Sequence, residues 1–316
     1  MEVLLAQPRG FCAGVVRAVS IVERALELYG APVYVFHEIV HNRRVVDDLR
    51  ERGAVFVDEI EVIPVGSVVV FSAHGVANEV VHRAQLRKLR VIDATCPLVG
   101  RVHSRLRRYS RLGYELVMVG HRGHEEVVGT IGSVDAPVHL VSSLEDVAKL
   151  TIPPGARVAY VTQTTLSLDD TGEIIEALQQ RYAQLEGPEL DDICYATQSR
   201  QRAVRALAKR VGLVLVVGAR NSSNSSRLRE VAHQCGVPAY LIEEARELEP
   251  EWLGGAETVG VTAGASTPEV LVREVCEKLQ RLGARSVRDL PGEAEAVSFR
   301  LPPGLARSTE GTDLVA

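Results

Sequence analysis

With 316 residues, 46% hydrophobic and 24% charged, the chain is long enough for two or three compact domains and has an ordinary globular composition. A net charge of -5 disfavours nucleic acid as a partner, and no apolar run reaches the roughly 18 residues of a membrane span, so no membrane partner is expected either. The apolar stretch Val3 to Ala6 is too short for the core of an export signal, so a cytoplasmic location is expected.

From the N-terminus, short Val-rich runs alternate with helical patterns. A helix is predicted over 15–28, strands at 33–36 and 68–71, and helices at 80–89 and 99–112. Strands follow at 116–119 and 158–161, helices at 174–182 and 203–211, strands at 213–217 and 259–261, and a helix at 270–279. Beyond Gly283 the pattern fades; residues 296–301 read as one more strand and 302–316 as a loose tail. This alternation specifies α/β units with a mainly parallel sheet. Cys12, Cys96 and Cys194 divide it into comparable thirds, read as α/β domains over 1–95, 96–193 and 194–282, with 283–316 a C-terminal strand and tail.

Five widely spaced cysteines without an export signal argue against a disulfide framework. Cys235 and Cys276 sit at helical spacing beside apolar residues and read as core. Cys12, Cys96 and Cys194 differ, because each stands at a predicted helix start, with Pro97 suited to the first helical position. Helix N-termini favour thiolates, and thiolates bind metal. No C-x-x-C motif is present, so spacing alone leaves isolated turn cysteines and a shared metal centre both open.

The carboxyl ends of the predicted strands are unusually polar. They run into Ser72-Ala73-His74-Gly75, Gly120 to Glu126, Thr162-Gln163-Thr164-Thr165, Gly218 to Ser225 and Thr262 to Pro268, with His41-Asn42 in a further turn. Ligands of open parallel sheets bind at such ends, and hydroxyl and amide residues before a helix suit an anion. Ser222, Ser223, Asn224 and Ser266 supply donors, and His41, His74 and His124 supply imidazoles. Capping alone explains one Ser-Ser-Asn run; an anionic ligand explains five polar ends together. No phosphate-loop or dinucleotide fingerprint appears. Glu126 is a carboxyl group available for proton delivery, its pKa rising if it is buried. The histidines at 37, 82, 103, 121, 139 and 233 read as surface or internally satisfied residues.

Seven segments carry a family resemblance: Pro8 to Gly14, Ser72-Ala73-His74-Gly75, Asp93 to Val99, Thr162 to Ser167, Asp192 to Thr197, Asn221 to Ser225 and Val261 to Ser266. In order, from about residue 3 to 282, they resemble the 4-hydroxy-3-methylbut-2-enyl diphosphate reductase (LytB/IspH) family. One departure stands out: the family usually reads His-Pro-Glu where this chain has His124-Glu125-Glu126, which is expected to loosen the turn presenting Glu126.

The resemblance implies three small α/β domains in a trefoil arrangement around a central iron–sulfur cluster, [4Fe–4S] in the active form, held by Cys12, Cys96 and Cys194. One iron then lacks a cysteine and receives the substrate hydroxyl. His41, His74, His124, Ser222, Ser223, Asn224 and Ser266 match diphosphate-binding positions, Thr164 the contact to the hydroxyl region, and Glu126 the proton donor. The implied reaction is reduction of a small allylic diphosphate to isopentenyl and dimethylallyl diphosphate, the last step of the methylerythritol phosphate (non-mevalonate) pathway. Electrons would come from an external donor such as ferredoxin or flavodoxin. Residue chemistry alone leaves a cluster-based hydro-lyase open; a zinc or redox-sensing module leaves the polar strand ends unexplained.

Overall fold

Val, Ile and Leu dominate the strands because parallel strands are covered on both faces and need apolar side chains on each. The computed structural model describes residues 1–292 and 295–305. The chain opens with β1 (Glu2–Leu5), α1 (Ala13–Tyr29), β2 (Val33–Phe36), α2 (Arg43–Glu51), β3 (Ala54–Val57), β4 (Val68–Phe71), α3 (Asn78–Leu86) and β5 (Arg90–Asp93). It continues through α4 (Pro97–Arg111), β6 (Glu115–Val119), α5 (Glu125–Ile131), β7 (Val138–Val141), α6 (Leu144–Lys149), β8 (Val158–Thr162), α7 (Leu168–Arg181) and β9 (Leu185–Glu186). Last come α8 (Tyr195–Ala208), β10 (Leu213–Val217), α9 (Ser223–Gln234), β11 (Ala239–Ile242), β12 (Thr258–Ala263), α10 (Glu269–Arg281) and β13 (Ser286–Asp289).

These strands form three parallel sheets, ordered β3-β2-β4-β5, β7-β6-β8-β9 and β11-β10-β12-β1-β13. Every residue of β4, β8 and β10 is buried. On β10 the faces separate cleanly. Leu213, Leu215 and Val217 join the core containing α10 residues Leu271, Val272 and Val275, while Val214 and Val216 join the core containing Val204 of α8 and Leu228 of α9. Each such buried side chain stabilises the fold by about 1.5–3 kcal/mol. Three α/β units with parallel sheets are what the alternation of elements predicts. No helix among the described residues is long and apolar enough to cross a membrane.

Sheet membership departs from chain order at the N-terminus. β1 lies between β12 and β13, with Val3 beside Val259 and Val287, so the first strand completes the third sheet. The first cysteine turn therefore leaves the third unit and enters the first. The strand expected at 296–301 does not form; β13 occupies the sheet edge instead. Leu301 and Leu305 pack on the core of the first unit, so the apolar residues of this segment cover that core rather than pair in a sheet. The remainder of the expected tail, 306–316, lies outside the described residues. Cys276 is buried as expected, but Cys235 is exposed. The apolar stripe of α9 ends with Val231 and Ala232, and Cys235 falls at the C-cap beyond it.

Candidate active site

The polar strand ends of all three units meet around one cavity. Its lining includes Cys12, Cys96, Cys194, His41, His74, His124, Glu126, Thr164, Ser222, Ser223, Asn224 and Ser266, every site candidate drawn from the sequence. Each follows a strand end or opens the next helix: Cys12 after β1, His41 after β2, His74 after β4, Cys96 after β5, His124 after β6, Thr164 after β8 and Ser266 after β12. Cys194 opens α8 and Ser222 caps α9.

Cys12, Cys96 and Cys194 are the N-caps of α1, α4 and α8. The Cys194 Sγ accepts from the Thr197 amide at 3.4 Å and lies 3.2 Å from its hydroxyl. Thr197, which ends one of the family segments, was given no site role from the sequence, although its place three residues after an N-cap was a readable signal. Gly14 leaves the space the sulfurs share: a Cβ there would stand 2.8 Å from the Cys96 Sγ and 3.8 Å from the Cys12 Sγ.

Burial pushes the Cys96 thiol up to about 12 and the Cys194 thiol up to about 11, and the neighbouring sulfurs add to both shifts. Thiols raised as those of Cys96 and Cys194 are raised ionise together only beside a cationic centre. The donor set and the space kept by Gly14 therefore fit an iron–sulfur cluster, which thiolates hold.

Cys194, Thr164 and Glu126 form a connected chain. The Cys194 amide donates to the Thr164 carbonyl at 3.0 Å. The Thr164 amide and hydroxyl donate to the Glu126 carboxylate at 2.6 and 3.0 Å. Glu126 is 2% exposed. Its burial raises it to about 7 against these two hydrogen bonds, with the charge of Asp192 adding to the rise. Asp192, itself buried and raised by burial, pairs with Arg105 and accepts from the Thr162 amide at the end of β8.

The imidazoles form a second cluster. The His41 and His74 rings stack at 4.2 Å, and the His124 ring stands edge-on to both, 5.4 and 5.9 Å away. Burial lowers His124 to about 3, and His74 and His41 act in the same sense. His74 is lowered by burial and by His41, with Glu125 pulling the other way. His41 pairs with Glu38 at 3.2 Å, and Asn221 donates to the same carboxylate at 3.0 Å, tying the α9 turn to the first unit. Ser266 donates to the His41 carbonyl at 2.9 Å. Glu38 and Glu125 were not anticipated as site residues, because their partners Asn221 and His74 lie on other units.

Two local hydrogen bonds hold the turn before α5. The His124 Nδ1 accepts from the Glu126 amide at 3.1 Å, and the Val128 amide donates to the His124 carbonyl at 3.0 Å. Asn224 is 4% exposed, yet among the described residues neither atom of its amide group has a partner, and neither does the Ser223 hydroxyl. Buried polar groups without partners cost about 1–3 kcal/mol each, so these side chains await a polar ligand. His103 departs from the satisfied reading: it is buried against Gly75, lowered to about 4 by burial, and its Nε2 has no partner among the described residues.

Residues 3–280 match the family model described as LytB protein. The chain belongs to the LytB family. LytB proteins are iron–sulfur enzymes, in keeping with the thiol cavity. The chain is 59% identical over 308 residues to "4-hydroxy-3-methylbut-2-enyl diphosphate reductase 2" of Bradyrhizobium diazoefficiens, covering 98% of this chain and all of that protein. It is 57% identical over 312 residues to the reductase of Bordetella pertussis, covering 99% and 96% of the two chains. Among solved structures, the E-1-hydroxy-2-methyl-but-2-enyl-4-diphosphate reductase of Plasmodium falciparum superposes with a TM-score of 0.91 at 34% identity, covering 96% of each chain. A second LytB structure, described as the terminal enzyme of the non-mevalonate pathway, matches with a TM-score of 0.63, also at 34% identity, over 89% of this chain and all of that one.

Proposed function

We propose that the protein reduces (E)-4-hydroxy-3-methylbut-2-enyl diphosphate to isopentenyl and dimethylallyl diphosphate. Two electrons and two protons enter, the allylic C–O bond breaks, the hydroxyl leaves as water, and the second proton goes to the allylic carbon fragment. The observation that carries this reading is the placement of Glu126, a carboxyl raised to about 7, beside Thr164 and Cys194 in the cavity that also holds unpartnered Asn224.

Cys12, Cys96 and Cys194 are the residues that would hold the cluster, read as [4Fe–4S] with one iron free of cysteine. Bound there, it supplies electrons one at a time and a Lewis acid. Asn224, Ser222, Ser223 and Ser266, with His41, His74 and His124, bind the diphosphate and use that binding energy to fix the reacting carbon. Burial keeps Glu126 protonated near neutral pH, and the Thr164 amide and hydroxyl orient its carboxyl group. Glu126 then gives its proton to the departing hydroxyl.

Ferredoxin or flavodoxin is the proposed electron donor and the cytoplasm the proposed location. Anaerobic purification, iron and sulfide quantification, and an assay with the allylic diphosphate test the reading. Turnover that needs a reductant and yields both five-carbon diphosphates supports it. Substrate consumption without any reductant would establish a hydro-lyase instead.

A further inference from the structure

Two arginines tie the three cysteine turns together, and both end on the C-terminal segment. Arg200 of α8 is fully buried. Its guanidinium donates to the Gly10 carbonyl at 2.7 Å, two residues before Cys12, and to the Ala196 carbonyl at 3.0 Å, two residues after Cys194. Its remaining bonds reach Glu295 at 2.7 and 3.1 Å, and Ser199 donates to the same carboxylate at 2.7 Å. Beside it, the Tyr195 hydroxyl accepts from the Ala13 amide at 3.3 Å, joining the residues next to Cys194 and Cys12.

Arg17 of α1 makes the matching link to the third turn. It donates to the carbonyls of Ala94 and Thr95, just before Cys96, at 3.3 and 3.1 Å, and to the Arg300 carbonyl at 3.0 Å. Leu301 and Leu305 anchor the segment on the core of the first unit.

From these contacts we infer that residues 295–301 form a strap that holds the three-cysteine cage closed, with Arg200 and Arg17 as positioning residues, and so slows the loss of iron. A fully buried guanidinium needs a carboxylate partner. Without the charge of Glu295, Arg200 gains by turning toward water, and doing so releases the Gly10 carbonyl. Gly10 sits at φ +68°, in a turn also held by its amide bond to Ala263 at 3.3 Å and by the Cys12 amide bond to Ala265 at 3.1 Å, so losing the Arg200 contact loosens the Cys12 loop without unfolding it. The strap acts on retention of the cluster and touches neither the substrate groups nor Glu126.

The inference rests on the iron–sulfur reading, and the experiment separates the two. Anaerobically purified holoenzyme is exposed to an iron chelator while cluster absorption and the emission of the single tryptophan, Trp252, are followed together. Trp252 stacks on Tyr240 at 4.1 Å and reports folding of the third unit. Glu295→Gln is expected to lose iron roughly tenfold faster, the scale of a weakened charge-assisted contact, with Trp252 emission native throughout. Glu295→Asp should recover part of the difference. Glu61→Gln, which removes the exposed partner of Arg83, should match wild type. If Glu295→Gln does not fold, Arg17→Gln carries the same expectation. Wild-type protein without iron defeats the iron–sulfur reading. Iron-loaded wild type and Glu295→Gln losing iron at one rate, or tryptophan emission falling in step with iron, overturns the strap.

Discussion

The His74 Nδ1 and Glu125 Oε2 stand 2.8 Å apart, joining the turn after β4 in the first unit to the first turn of α5 in the second. Proline fits the first helical position, so α5 does not need glutamate there for its own sake. What glutamate adds is a carboxylate that favours the protonated form of His74 against burial and against His41. Glu38, His41 and His124 are the other titratable groups facing this imidazole.

Glu125→Pro therefore exchanges one effect for another. It takes a negative charge away from the proposed diphosphate site, and it makes His74 harder to protonate. Because His74 is held below its ordinary value, the second effect acts only toward acid pH, and at pH 8 only the first remains. The ratio of variant to wild-type KM is expected to fall between pH 6 and pH 8 by up to roughly fivefold, equivalent to about 1 kcal/mol. A ratio that stays flat across that interval removes Glu125 from control of His74.

Glu126→Gln should retain iron and cluster absorption while turnover falls by about 10²–10⁴, the usual contribution of a positioned proton donor. In wild type, kcat/KM should decline as pH rises through about 7, where the donor ionises. The sign for stability is the same. A carboxyl raised from 4.5 to about 7 in the folded chain stabilises it fully below 4.5, and that contribution is lost as pH rises to 7 and beyond. The glutamine variant escapes this loss and should resist urea better than wild type at pH 8. Near-normal turnover with a chemical electron donor would show that the proton comes from elsewhere.

Much of this site was readable because a parallel sheet sends its strand ends to one side, so polar residues after Val-rich runs mark the ligand. His74, Thr164 and Ser266 were visible in that way, and Cys12, Cys96 and Cys194 by their places at helix starts. The links of Glu38 to Asn221, Glu125 to His74, Arg17 to Thr95 and Arg200 to Gly10 were not, since each partner lies on a distant part of the chain or across a unit boundary. Strand β1 shows the same limit for the fold. Its apolar run predicts burial, but only the assembled third sheet shows it pairing with Val259 and Val287. Cys235 and residues 296–301 were misread because a local apolar pattern does not show where an apolar stripe ends or which surface it covers.

Asn224→Ala tests the unpartnered amide group. Removing a buried polar group that has no partner among the described residues relieves about 1–3 kcal/mol of desolvation in the ligand-free chain. The variant should therefore unfold at a slightly higher temperature than wild type in buffer, yet gain far less from added inorganic diphosphate. KM for the allylic diphosphate should rise about tenfold to a hundredfold, the loss of one or two charge-assisted hydrogen bonds. Equal thermal shifts with diphosphate in the two proteins would remove Asn224 from the anion site.

Serine substitutions at all five cysteines separate ligands from bystanders. Cys12, Cys96 and Cys194 face the cavity, whereas Cys235 is exposed at the end of α9 and Cys276 is buried beside Val275 and Leu279. A serine hydroxyl is a poor substitute for a thiolate at iron, so each of the first three variants should hold less than half the wild-type iron after anaerobic purification. Cys235→Ser should match wild type in iron, absorption and turnover. Cys276→Ser should also keep its iron but lose about 1–3 kcal/mol of stability, because a hydroxyl enters an apolar core. Iron analysis set beside urea unfolding distinguishes these outcomes. Loss of iron in Cys235→Ser, or full iron in Cys194→Ser, would redraw the ligand set, because no other cysteine stands within the cavity lining.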